Sequence, residues 1–211
     1  MTGPKTIFWE VDVQSDFMLP GGKLYVPGAE KIIPNVKRLV DQARDARVLL
    51  VSSGDSHPEN DPEFATFSPH CLKGTPGADL LPEAQTEKIL RIPNDPSFKL
   101  PEKFNGAGQI HLEKQTLDVF RNVHADEVVE RLGRDAEFVV FGVVTEYCVR
   151  CAAKGLLDRG RKVALVTDAI EQINPADGRR ALDELKSLGA RFITTDEALS
   201  GLRTHSPSLR T

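Results

Sequence analysis

Short apolar runs alternate along this chain with longer stretches in which apolar positions recur every three or four residues. Residues 6–13 (TIFWEVDV), 47–52 (RVLLVS), 137–143 (EFVVFGV), 162–169 (KVALVTDA) and 190–194 read as strands. EKILRI at 87–92 and QIHLE at 109–113 are weaker strand signals. Ile33, Val36, Leu39, Val40 and Ala43 share one face of a helix over 32–45. Pro34 suits the start of that helix, where a missing N–H costs little. Further helices are expected over 126–132, 147–159 and 177–188. Strands alternating with helices predict an α/β fold, with a mainly parallel, doubly wound central sheet in a three-layer α/β/α arrangement.

Ligands in such folds collect beyond the carboxyl ends of the strands. Three polar features fall there: Asp12, the 53–57 segment, and Thr145 to Cys148. The 53–86 and 92–109 stretches are rich in Pro, Gly, Asn and Asp and read as long loops, which in compact domains often carry function. No internal repeat is present. Residues 1–201 are expected to form one domain, and 202–211 (LRTHSPSLRT) a flexible tail without a role.

Composition narrows the classes. Of 211 residues, 40% are hydrophobic and 27% charged, which is ordinary globular usage and excludes a wholly disordered or collagen-like chain. Lys plus Arg number 27 against 31 acids, a net charge of -4, so the basic excess of a general nucleic-acid binder is missing. No apolar run approaches ~18 residues, so no membrane span is expected. MTGPKTIFWEVD lacks the basic and apolar regions of a secretory signal, and a cytoplasmic setting is expected.

Three cysteines, Cys71, Cys148 and Cys151, are too few and too odd for a disulfide framework. Cys148 follows a strand and opens a helix, where orphan N–H groups and the helix dipole favour a thiolate. The competing reading is a buried structural thiol. Cys151, one turn on, completes a CxxC that serves redox pairs and half zinc sites alike, or simply packs in the core. Asp12 in VDVQSDF is either a functional carboxylate or a loop cap, and Asp16 is expected to be more exposed, capping the next turn. In GDSHPENDPEFATFSPHC, Asp55, His57 and His70 offer N and O ligands suited to zinc, iron or manganese, with Asp61 and Glu63 nearby. The alternative is a polar loop with hydrogen-bonding histidines. His111, His124 and His205 have no comparable company. Phe8 and Trp9 read as core, and a lone Lys such as Lys114 reads as surface unless its neighbours say otherwise.

Taken together, VDVQSDF, DSHPEN, SPHCLKGTPGA, EKQTLDVF and GVVTEYCVRCAA, in that order over roughly 6–195, resemble the isochorismatase-like cysteine hydrolases, in particular nicotinamidase-related amidohydrolases. The family fold is a parallel sheet flanked by helices. The resemblance implies a triad of Asp12, Lys114 (six residues before the aromatic Phe120) and Cys148. It implies a cis peptide between Val143 and Val144, and an oxyanion hole from the N–H groups of Val144 and Cys148. It also implies a divalent metal, zinc foremost, held by Asp55, His57 and His70, with Glu63 where some members supply a fourth ligand. In nicotinamidases that ion is thought to orient the substrate's ring nitrogen. The implied partner is a small amide, and homo-oligomers are common in the family.

The chain also departs from the pattern. Ser56 and Ser68 stand where nicotinamidases commonly carry aromatics, and Asp61 where many carry a further His. Fewer rings weaken stacking on a flat pyridine, so another small amide, carbamoyl or ureido compound is an alternative substrate. The competing functions are an isochorismatase proper, which generally lacks the cysteine, a catalytically retired binding module, and a thiol redox protein using Cys148 and Cys151.

Overall fold

The structure, a computed structural model, describes residues 6–104 and 106–203. Its strands are β1 (Thr6–Val11), β2 (Leu49–Asp55), β3 (Ile89–Ile92), β4 (Gln109–Lys114), β5 (Glu137–Val143), β6 (Lys162–Glu171) and β7 (Arg191–Ile193). Its helices are α1 (Ser15–Met18), α2 (Ile33–Arg44), α3 (Ala125–Leu132), α4 (Arg150–Asp158), α5 (Pro175–Ser187) and α6 (Thr195–Arg203). A single π-turn, Thr145–Val149, leads into α4. All seven strands are parallel, in the order β3-β4-β2-β1-β5-β6-β7. The chain starts in the middle, winds to one edge, then returns and winds to the other. The winding direction therefore reverses around β1, and a crevice opens there at the carboxyl ends of the strands.

Central parallel strands are covered on both faces and so are apolar nearly throughout. Ile7, Trp9 and Val11 of β1 join Phe138 and Val140 of β5 in a core closed by α3, α4 and Leu185 of α5. Phe8 points the other way, with Val139, Phe141 and Val143, onto the Val36, Leu39, Val40 and Ala43 stripe of α2 and Ala198 of α6. These are the three layers expected. Each fully buried large side chain contributes roughly 1.5–3 kcal/mol. Gly142 lets β5 press against β1: a Cβ there would lie 2.0 Å from the Val11 carbonyl oxygen.

The helix starts have local causes. Pro34 lies in the first turn of α2. Asn174 caps α5 by accepting from the N–H of Ala176 and Asp177. Asp168 accepts from the N–H of Thr195 at 2.7 Å, which anchors the start of α6. Two departures from expectation bear on function. β2 runs three residues beyond 52, into the segment read as loop, and ends on Asp55. The one-turn α1 was not foreseen, because four residues are too few to show a helical period. Of the expected tail, residues 202 and 203 end α6, and 204–211 lie outside the described residues. Among the described residues, no helix is long and apolar enough to cross a membrane.

Candidate functional site

Four neighbouring strands, β4-β2-β1-β5, deliver the candidate residues to one crevice. Asp55 and Lys114 are register partners at the ends of β2 and β4, so their side chains start side by side. Asp12 directly follows β1 with a φ of 53°, a left-handed turn that Asp tolerates better than most residues. Its N–H still reaches Ser53 on β2. Beyond β5 the Val143–Val144 peptide is cis, as the family resemblance implied, and the π-turn that follows carries Cys148.

Lys114 is 1% exposed, far from the surface lysine its type suggests. Its ammonium lies 2.9 Å from Asp12 Oδ2, donates to Asp55 Oδ1, and reaches Cys148 Sγ at 3.5 Å. One buried cation therefore touches two carboxylates and a thiol. Burial works against its charge, but Asp12 and Asp55 together hold its pKa well above the usual lysine value. Burial pushes Asp12 up from 3.8 to about 6, with Lys114 opposing and Asp55 assisting. Burial also opposes the charge on Asp55, yet Lys114, His57 and His70 outweigh it and hold that carboxyl below its ordinary range.

Cys148 corrects one expectation. Complete burial, then the charge of Asp12, push its thiol well above the ordinary cysteine value, against the pull of Lys114. Desolvation and the two nearby carboxylates, Asp12 and Asp55, oppose the thiolate that a helix start favours. Asp12 lies in hydrogen-bonding reach of the thiol. Cys71 is buried and raised likewise by desolvation, and is not activated. Cys151 is half-buried.

Asp55 also belongs to a second group. Ligand atoms of Asp55, His57, Glu63 and His70 all lie within 4.8 Å of one another. His70 Nδ1 faces the Ser68 carbonyl at 2.8 Å, which turns Nε2 to Asp55 Oδ2 at 3.3 Å. His57 is fully buried, and its Nε2 has no hydrogen-bond partner while lying 3.2 Å from Glu63 Oε2. Burial works against a charge on His57, but Asp55 and Asp61 outweigh it and raise its pKa. Burial and the nearby Asp55 charge raise that of Glu63. Two imidazoles and two carboxylates converging with an orphaned nitrogen are a donor set that fits zinc, iron or manganese. Asp61 stands outside this set, against His57 Nδ1.

Several contributors escaped the sequence. Gln14 grips Asp55 through its backbone, accepting from the N–H at 2.6 Å and donating to the carbonyl at 2.8 Å. Asp16 is buried rather than exposed: it caps the turn at Lys23, as expected, and also accepts from the N–H of Cys71 at 2.7 Å, holding the segment beside His70. Rings do surround the site despite Ser56 and Ser68. Phe17 lies 5.3 Å from His70, Phe64 5.2 Å from His57, and Phe67 6.2 Å from Tyr147, edge to face. The FATF spacing at 64–67, three apart on a turn, was the signal for the last two phenylalanines. The remaining described histidines are ordinary: His111 bonds Ser52 at 2.9 Å, with burial pushing its pKa down to about 3, and His124 bonds the Asp95 carbonyl. His205 lies outside the described residues.

Known proteins are similar to this chain in sequence and fold. The nicotinamidase of Escherichia coli (strain K12) is 28% identical over 210 residues, covering 87% of this chain and 92% of its own. The crystal structure of pyrazinamidase of Pyrococcus horikoshii in complex with zinc is 31% identical with a TM-score of 0.72, covering 90% of this chain and 99% of its own. The N-carbamoylsarcosine amidase of Thermoplasma acidophilum is 25% identical with a TM-score of 0.71, covering 91% and 97%. The isochorismatase domain model matches residues 7–197, and on that match over nearly the whole chain the protein belongs to the isochorismatase family.

Proposed function

We propose that this protein is a cysteine amidohydrolase that converts a small amide, nicotinamide or a related amide or carbamoyl compound, to the acid and ammonia. The observation that carries the proposal is Lys114, whose single buried ammonium touches Asp12, Asp55 and Cys148. Asp12 takes the Cys148 proton, and the resulting thiolate attacks the amide carbonyl. Lys114 stabilises the charges that shift between them. The oxyanion is assigned to the N–H groups of Val144 and Cys148. Asp12 returns its proton to the nitrogen, and ammonia leaves a thioester. Asp12 then takes a proton from water, whose oxygen displaces the Cys148 thiolate and releases the acid, and the proton on Asp12 passes to that thiolate.

Asp55, His57, Glu63 and His70 are the residues that would hold a divalent metal, zinc first. When bound, the metal supplies a Lewis-acidic anchor for a substrate ring nitrogen. Asp55 links the two halves, since one of its oxygens pairs with Lys114 and the other faces both histidines. The rings of Phe17, Phe64, Phe67 and Tyr147 suit a flat substrate.

Ammonia release across a panel of small amides, including nicotinamide, pyrazinamide and N-carbamoyl amino acids, tests the activity and its substrate class. Cys148→Ala should abolish turnover with the fold intact, and undiminished hydrolysis by that variant would overturn the proposal. Metal content of tag-free protein, with an Asp55/His57 double variant as control, tests the metal assignment. A homo-oligomer in a cytoplasmic setting is the assembly proposed, checked by light scattering and by cell fractionation.

A further inference from the structure

Asp61 is buried, and its two oxygens serve two different neighbours. Oδ1 accepts from the N–H of Glu63 at 2.9 Å and caps the turn Pro62–Ala65. Oδ2 stands 3.0 Å from His57 Nδ1. His57 has no other polar partner on that side, and its Nε2 faces Glu63 and Asp55. We propose that Asp61 is a positioning residue for the metal group, fixing two of its ligands, His57 and Glu63, at once.

The chemistry follows from the two contacts. A carboxylate beside Nδ1 keeps a proton on that nitrogen and leaves the Nε2 lone pair directed at Asp55 and Glu63. Such carboxylate–histidine pairs set the tautomer and raise the basicity of a metal-binding imidazole. The other oxygen holds the turn that presents Glu63. His70 has its own arrangement, with Nδ1 directed at the Ser68 carbonyl, so both imidazoles offer Nε2 by different means. The simpler alternative is that Asp61 is only a turn cap. Asn and Ser cap about as well as Asp, and that equivalence separates the two roles.

The proposal rests on the metal assignment given above. Zn(II) affinity of the full chain, measured by competition with a chromophoric chelator, distinguishes their failures when paired with thermal unfolding of the metal-free protein. Asp61→Asn keeps an acceptor for Glu63 N–H but turns an amide NH2 toward Nδ1. Asp61→Ser keeps the cap and removes the charge. Both variants are expected to raise the Kd for Zn(II) roughly 10–100-fold, with metal-free unfolding temperatures close to wild type. Wild-type Zn(II) affinity in either folded variant would overturn the role of Asp61 alone. A wild-type protein that binds no Zn(II), Mn(II) or Fe(II) would overturn the metal assignment and this proposal together.

Discussion

Replacing Lys114 with Met removes the ammonium while keeping most of the side chain's length and apolar bulk. The perturbation is electrostatic, because Lys114 is 1% exposed and both its carboxylate partners are buried. At 2.9 Å and an effective dielectric constant near 20, the Asp12 contact alone represents about 6 kcal/mol of gross attraction. Desolvation cancels much of that, and removing one partner of a buried pair costs roughly 3–5 kcal/mol. For a chain of this size each kcal/mol lowers the unfolding temperature by roughly 2–4 °C, so a fall of about 6–20 °C is expected near pH 8.

The pH dependence makes that expectation specific. In wild type, Asp12 has a pKa of about 6, raised by burial and restrained by Lys114. Without Lys114 the restraint is lost, and the folded-state pKa rises further. A raised carboxyl pKa means the folded state keeps a proton that the unfolded chain has released, so stability falls as pH rises toward the folded pKa. In wild type this loss is complete slightly above pH 6, whereas in the variant it continues to higher pH. Asp55 acts in the same direction. Its depressed pKa gives wild type a stability that is present above the ordinary carboxylate range and lost in acid, and the variant forfeits part of it. The penalty of Lys114→Met should therefore be smallest near pH 5 and largest near pH 8, as read by denaturant unfolding of metal-free protein across that range. A penalty below 1 kcal/mol at pH 8, or one unchanged from pH 5 to 8, would refute the view of Lys114 as the charge that holds this site together.

Three further outcomes are expected. kcat/KM for ammonia release should show an acid limb with an apparent pKa near 6, falling as Asp12 protonates, and activity undiminished down to pH 4.5 would remove Asp12 as the base. Glu10, fully buried with neither oxygen partnered, is raised well above the carboxylate range by burial and then by the charge of Asp12, so it costs stability as pH rises. Glu10→Gln should gain roughly 1–3 kcal/mol at pH 8 and nothing near pH 4, and a variant less stable at both would contradict this. Cys151→Ala should keep kcat/KM within about twofold under reducing conditions. A tenfold loss would mean that the half-buried second thiol belongs to the chemistry after all.

The layers and most strands were legible because parallel β1 and β5 are buried on both faces, which leaves uninterrupted apolar runs such as EFVVFGV. Asp12, Lys114 and Cys148 were legible only through their company. A single lysine after a weak strand carries no local sign that it is 1% exposed. What buries it is a register, Asp55 opposite Lys114, between strands 54 residues apart. The end of β2 was misplaced for a related reason. SSGD is polar and turn-like in isolation, yet Ser52, Ser53 and Asp55 are buried because β1 and β4 flank them. Gln14 and Asp16 act through backbone contacts 41 and 55 residues away, which no periodicity encodes.

The thiol shows where a local rule gives the wrong sign. A cysteine at a helix start, taken alone, reads as a thiolate, because the dipole and free N–H groups favour the charged form. The fold adds complete burial and two carboxylates, and these reverse the preference. The same carboxylates supply what the reversal demands. Asp12, lifted to about 6, lies closer to neutrality than an ordinary carboxyl, which suits the proposed role of proton acceptor for the thiol. Lys114 keeps that base ionised near pH 7 despite its burial. In the proposed mechanism reactivity is therefore a property of the three groups together: without Lys114 both Asp12 and Cys148 would be pushed still further from their ordinary pKa values.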